Sequence, residues 1–232
     1  MTRLKAVARC LVIAGFLYAF LPGFAYAAET KTVRDDFAQR VAGIRMIGIL
    51  TPDFTYYDSS LSGLKEKNDD QSRQAAQNIV NTVKDFLTAQ GFTAKVIARD
   101  GERKESLEEI AELFETIAFS YRIHVTRAQR QNVFPHKAAS FDYSVGPIGD
   151  ILDAEQVDAL ILVEGGSVGA SLLNPGGAVI LVGLVDRTGA LLWHEPYTQQ
   201  GSGFLNRKNL TDPDGTRRIF ETIFGKMPAV RK

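Results

Sequence analysis

Val157-Asp-Ala-Leu-Ile-Leu-Val163, then Ala178-Val-Ile-Leu-Val-Gly-Leu-Val185, Asp186-Arg-Thr-Gly189 and Ala190-Leu-Leu-Trp-His-Glu195 decide the fold. The first run is almost continuously apolar, as expected for a strand covered on both faces. The second is equally apolar and rich in β-branched residues. Asp186 to Gly189 is turn chemistry, so the last two runs read as a β-hairpin. Strict alternation in the returning strand would place Leu191, Trp193 and Glu195 on one face, with Leu192 and His194 on the other. Trp193 then reads as core packing beside Leu191 rather than as an exposed anchor.

Upstream, Ile44 to Leu50 reads as a buried strand that ends at Thr51-Pro52, because proline cannot donate to a ladder. Residues 53–68 read as an irregular loop. Its adjacent Tyr56 and Tyr57 could form a binding surface, with one ring packed inward and one exposed as the simpler arrangement. Asp69 or Asp70 can cap the next helix. Ala75, Ile79, Val83, Phe86 and Leu87 trace an apolar stripe to about Gln90, and Gly91 is the expected stop. Residues 92–98 form a further strand, which completes a candidate βαβ unit.

Ser106-Leu-Glu-Glu109 has the form of a capping box for a helix running to about Tyr121. Residues 122–143 read as a short helix followed by a loop. Pro147 suits the first turn of a short helix ending at Glu155. Asp212 and Pro213 open a final helix whose stripe is Ile219, Phe220, Ile223 and Phe224. The fold class expected is therefore one α/β domain over 44–228. It has a mixed sheet of about five strands flanked by helices, including a C-terminal hairpin and helix. Residues 28–43 are expected to be a tether or a short helix.

The start of the chain gives an address. Arg3, Lys5 and Arg9 precede an apolar run from Cys10 to Phe24, and Ala25-Tyr26-Ala27 offers the small residues a signal peptidase needs. Residues 1–27 are thus expected to be a cleaved signal peptide, with a periplasmic destination. A retained anchor would need roughly 20 apolar residues, which Leu11 to Phe24 does not supply before Pro22-Gly23 interrupts it. Cys10 lies before the apolar run, so it does not suit lipidation. Cleavage would leave 232 less 27, or 205, residues with no cysteine, hence no disulfide or thiolate chemistry. It would also leave 27 less 3 basic residues against 27 acidic ones. That balance has no basic face for nucleic acid, and no membrane span is expected after cleavage.

Gly165-Gly-Ser-Val-Gly169 matches G-x-S-x-G after a strand. A nucleophile elbow would make Ser167 the nucleophile, with His194 as base and Asp186 as acid. Pro175 stops the helix such an elbow requires, and His194 and Asp186 fall in the hairpin, so a glycine-rich connection is preferred. A P-loop is excluded by the missing Gly-Lys-Ser/Thr. His124, His136 and His194 lack metal-ligand spacing, and no cofactor or metal is expected.

The wording of 157–163, Leu184-Val-Asp186, Thr188-Gly189 and Leu192-Trp193 resembles small bacterial envelope proteins. These are the CsgG-like, LpoB-like and TolB-amino-terminal-like group, including uncharacterised envelope lipoproteins. The order of elements follows that group over residues 44 to 225. The resemblance implies a mixed sheet flanked by helices and a role in envelope assembly or regulation through protein contacts; it implies no catalytic residue. This chain lacks the cysteine such lipoproteins acylate. The expected function is an exported envelope accessory protein that binds a protein partner. Tyr56, Tyr57, Gly165, Gly166, Ser167 and Gly169 are the candidate contacts, because loops on a rigid sheet are where binding is built. The alternatives are a serine hydrolase using Ser167 and a periplasmic small-ligand-binding protein.

Overall fold

In the computed structural model, which describes residues 31–60, 64–124, 140–169, 176–200 and 210–229, the apolar run that begins at Val157 leads into the middle strand of a seven-stranded sheet. In chain order the elements are α1 (Phe37–Val41), β1 (Met46–Leu50), β2 (Phe54–Ser59), β3 (Lys65–Lys67), α2 (Asp69–Ala89) and β4 (Thr93–Ile97). A 3₁₀ turn (Gly101–Arg103), α3 (Lys104–His124), α4 (Gly149–Glu155), β5 (Ala159–Val168), β6 (Gly177–Asp186), β7 (Leu191–Gln200) and α5 (Pro213–Phe224) complete them. The class is mixed α/β, with all five expected strands present.

Two further strands lie where a loop is expected. Residues 54–59 and 65–67 pair antiparallel as β2 and β3. β2 also runs parallel to the distal half of β5. β5 therefore serves two neighbours on one side: Ala159–Ile161 lies against β1, and Gly165–Val168 lies against β2. The chain leaves β5 after β1, passes Pro52, and rejoins it. Phe54, Thr55, Tyr56 and Tyr57 have high strand propensity, but that preference takes effect only beside a partner. β1 and β4 pair in parallel, and β5, β6 and β7 form an antiparallel meander.

Alternation splits β5 between two cores. Ala159, Ile161 and Val163 face α2 and α5, joined by Ile79, Val83, Leu87, Ile219, Phe220 and Ile223. Leu160 and Leu162 face α3 and α4, joined by Leu107, Ile110, Phe114, Tyr121 and Leu152. The βαβ unit and the C-terminal helix stand as expected, and the Asp212 carboxylate accepts from Gly215 N–H at 2.8 Å.

Several local expectations require correction. Asn68, not Asp69 or Asp70, caps α2, accepting from Gln71 N–H at 3.0 Å from an extended backbone. α3 begins at Lys104 because the 3₁₀ turn feeds it, which puts Ser106 inside the first turn and prevents a capping box at that position. Pro147 precedes Ile148, the N-cap of α4, instead of entering the first turn. In β7 a bulge sets Leu184 opposite Trp193 and Val185 opposite Leu191, leaving Leu192 as the extra residue. Leu192 and Trp193 consequently pack in the same layer, while Leu191 joins the other. The expected pairing of Leu191 with Trp193 on one face does not hold.

Residues 32–34 pair with the free edge of β7 over Leu192–His194. Val33 bridges Trp193, Arg34 N–H donates to Leu192 O at 3.0 Å, and His194 N–H donates to Thr32 O at 2.9 Å. Phe37 and Val41 are buried beneath them. The expected signal peptide at 1–27, most of the 122–143 segment and the centre of the glycine-rich stretch lie outside the described residues.

Candidate functional site

The parallel pairing of β2 with β5 brings together two stretches separated by more than a hundred positions in sequence. Phe54 lies opposite Gly165, Thr55 opposite Gly166, Tyr56 opposite Ser167 and Tyr57 opposite Val168. Gly169 N–H then donates to Tyr57 O at 2.8 Å. Tyr56, Tyr57, Gly165, Gly166, Ser167 and Gly169 thus occupy one end of the sheet. The stretch from Gly165 to Val168 is strand rather than the glycine-rich connection expected. Gly165 has φ +146°, and a Cβ there would lie 2.1 Å from Val179 O, so only glycine lets the strands meet. A Cβ at Gly169 would lie 2.7 Å from Tyr56 Oη.

Alternation gives this end two faces. On the α2 side a row crosses four strands through Tyr56, Ser167, Ala178 and Gln199. Tyr56 is buried, and burial raises the pKa of its hydroxyl. Ser167 Oγ, Gln199 Oε1 and Gln71 Oε1 are buried without hydrogen-bond partners. On the opposite side lie Thr55, Tyr57, Gly166, Val168, Val179 and Thr198, each half-buried or exposed, with the Tyr57 ring 38% exposed. That strip is the accessible part of the candidate surface.

At its base is a charge pair absent from the sequence expectations. Glu164, 4% exposed, accepts a hydrogen bond from Arg99, whose Nε–H also donates to Thr51 O at 2.7 Å. Desolvation pushes the Glu164 carboxyl up to about 7, outweighing the attraction of Arg99, while Glu115 and Asp53 push the same way. The pair sits past the C-terminal ends of β1 and β4. Between β1 and β5 the winding of the sheet reverses, since β4 lies on one side of β1 and β5 on the other. Such reversal points are where open α/β sheets place ligands. In the sequence, the only signal for Glu164 is its place directly after an apolar run, and the glycines that follow it read as a strand already ended.

The serine-hydrolase constellation is not assembled. His194 lies level with Leu162 through Gly183, whereas Ser167 is five residues further along β5. That separation is about 16 Å along the strands and about 10 Å across two of them. Asp186, level with Ala159, is further away still. Its carboxylate accepts from Arg40 at 2.6 Å, from Thr188 Oγ1 at 2.7 Å and from the Thr188 amide at 2.9 Å, which fixes the hairpin turn. Ser167 lies within a paired strand, so no elbow turn exposes it. His194 is fully buried, with Phe114 and Tyr121 edge-on to its ring. Its Nδ1–H donates to Val182 O at 2.9 Å, and Nε2 is buried without a partner. Burial lowers the imidazole to about 4. It is a neutral core group at physiological pH. Among the described residues no group of three or more His, Cys, Asp or Glu could hold a metal ion, and no helix is long and apolar enough to cross a membrane.

These features define the class as a mixed α/β domain with its candidate surface at one end of the sheet. No family model matches the chain, and no curated protein matches it. Among solved structures it is similar to a PelC dodecamer from Paraburkholderia phytofirmans at 10% identity, covering 81% of this chain and 89% of that one, with a TM-score of 0.34. It is also similar to lipoprotein GNA1162 from Neisseria meningitidis at 12% identity, covering 79% and 99%, with a TM-score of 0.33. At scores of this size, function is argued from the chain's own residues.

Proposed function

We propose that this chain is an exported cell-envelope accessory protein that works by binding another protein through the strip where β2 meets β5. The observation that carries the reading is the exposed Tyr57 ring set beside Gly166 and Val168 on paired strands. Aromatic rings on a rigid platform bind at low entropic cost and are enriched where interfaces concentrate their energy. Export rests on the basic start, the apolar run and Ala25-Tyr26-Ala27. The separation of Ser167, His194 and Asp186 favours binding over bond cleavage.

Tyr57→Asp tests the reading, because a carboxylate on the strip opposes an apolar contact while leaving an exposed position free to solvate. Wild-type protein in gently solubilised envelope extract is expected to migrate in a complex containing a second polypeptide. The variant is expected to migrate at monomer mass with an unchanged melting temperature. A wild-type protein that is itself monomeric, or a variant that keeps the complex, would contradict the proposal.

A further inference from the structure

The sheet has three strand edges, and the described residues treat them differently. An exposed edge invites pairing with another chain, so proteins cover, shorten or charge their edges. β7 is paired by residues 32–34 over Leu192–His194. β3 is three residues long, and Lys65, Glu66 and Lys67 are all exposed. β4 has neither protection. Thr93 N–H donates to Arg45 O at 2.8 Å, and Ile97 O accepts from Thr51 N–H at 2.9 Å, so Thr93, Lys95 and Ile97 point their backbone groups at β1. The amides and carbonyls of Ala94 and Val96 therefore point outward. Lys95 does not guard the edge, because its ammonium donates to Glu155 O at 2.6 Å and to Glu155 Oε2 at 3.0 Å. Val96 is 44% exposed.

A cavity of about 320 Å³ opens at the end of this edge, lined by Val96–Ala98, Asp100–Arg103 and Glu155. Its lining residues include three acidic ones, Asp100, Glu102 and Glu155, against one basic one, Arg103. Glu155 is already paired with Lys95 and Arg103, and their hydrogen bonds hold its carboxyl below the usual range. Asp100 and Glu102 make no ion pair among the described residues. The cavity thus presents unmatched negative charge beside a row of unmatched backbone donors and acceptors.

We propose that the β4 edge accepts an extended segment of a partner protein as an added strand, with a lysine or arginine of that segment entering the cavity. Main-chain bonds to Ala94 and Val96 supply affinity, and the basic side chain meeting Asp100 and Glu102 sets register and choice of partner. A second copy offering its own β4 would place only Thr, Ala, Lys, Val and Ile along the edge, and its Lys95 is already committed to Glu155. Charge therefore favours a separate basic segment. β4 is separated from β5 by β1, and the proposal stands independently of the β2–β5 strip.

Amide exchange read by NMR tests it, with short peptides of alternating threonine and valine carrying a central lysine, alanine or glutamate as probes. In the free protein, the Ala94 and Val96 amides are expected to exchange quickly and the Lys95 amide slowly. The lysine peptide is expected to protect Ala94 and Val96 and to bind about tenfold more tightly than the glutamate peptide. Asp100→Asn with Glu102→Gln is expected to abolish that preference while leaving binding of the alanine peptide unchanged. The proposal is overturned if millimolar lysine peptide leaves both amides unprotected, or if the lysine and glutamate peptides bind equally. Protection that appears with protein concentration alone would assign the edge to a second copy and would overturn it too.

Discussion

Arg99→Met is expected to lower stability by about 3–5 kcal/mol well above pH 7, the range in which Glu164 is ionised, because it strands a buried carboxylate. It also removes the donor to Thr51 O, which ties the residue after β1 to the turn after β4. The loss should shrink as the pH falls, since protonation of Glu164 removes the uncompensated charge. Arg99→Met combined with Glu164→Gln should recover most of it, because neither buried group is then charged. Urea unfolding of the two single variants and the double variant forms the cycle that isolates the pair. A cost below about 1 kcal/mol for Arg99→Met would show that water already solvates the carboxylate.

The second large effect is a pair of opposed pH dependences. Glu164 is raised from 4.5 to about 7, so the folded state holds its proton more tightly than the unfolded chain. Its contribution is complete below about 4.5 and is lost as the pH rises through 7. His194 is lowered from 6.5 to about 4, so its contribution is complete above about 6.5 and is lost as the pH falls through 4. Each is worth about 3 kcal/mol across its window. Between 4.5 and 6.5 the slopes oppose, and the contributions of these two groups should nearly cancel in the wild type. Glu164→Gln should expose the histidine alone, with stability falling on acidification. His194→Gln, whose amide can still donate to Val182 O, should expose the glutamate alone, with stability falling towards neutrality. Parallel curves for the two variants would contradict both assignments.

Much of this architecture is legible in the sequence where one segment carries its own reason. The β6–β7 hairpin follows from two apolar runs joined by Asp186-Arg-Thr-Gly189, and α5 from Asp212, Pro213 and a regular stripe. Tyr57 and Gly166 are recognisable as candidate contacts, but nothing local says that they adjoin. That depends on β5 continuing through Gly165-Gly-Ser-Val168, where glycines lower strand propensity and only pairing with β2 and β6 supports the backbone. β2 is hidden for the same reason, since its long partner β5 lies more than a hundred residues away and its near one, β3, is only three residues long. The bulge at Leu192 is invisible because alternating and bulged strands share one apolar composition, and register decides between them. Glu164 reads as the start of a connection, because its partner Arg99 comes from the far side of β1 and only the tertiary fold brings them together.

The shared surface is tested most directly by placing a photoreactive amino acid at position 57 and, separately, at position 168, irradiating living cells and identifying the adducts by mass spectrometry. One and the same envelope polypeptide joined to both positions is the expected result. Different polypeptides at the two positions, or an adduct at one and none at the other, would contradict a single binding surface built from β2 and β5.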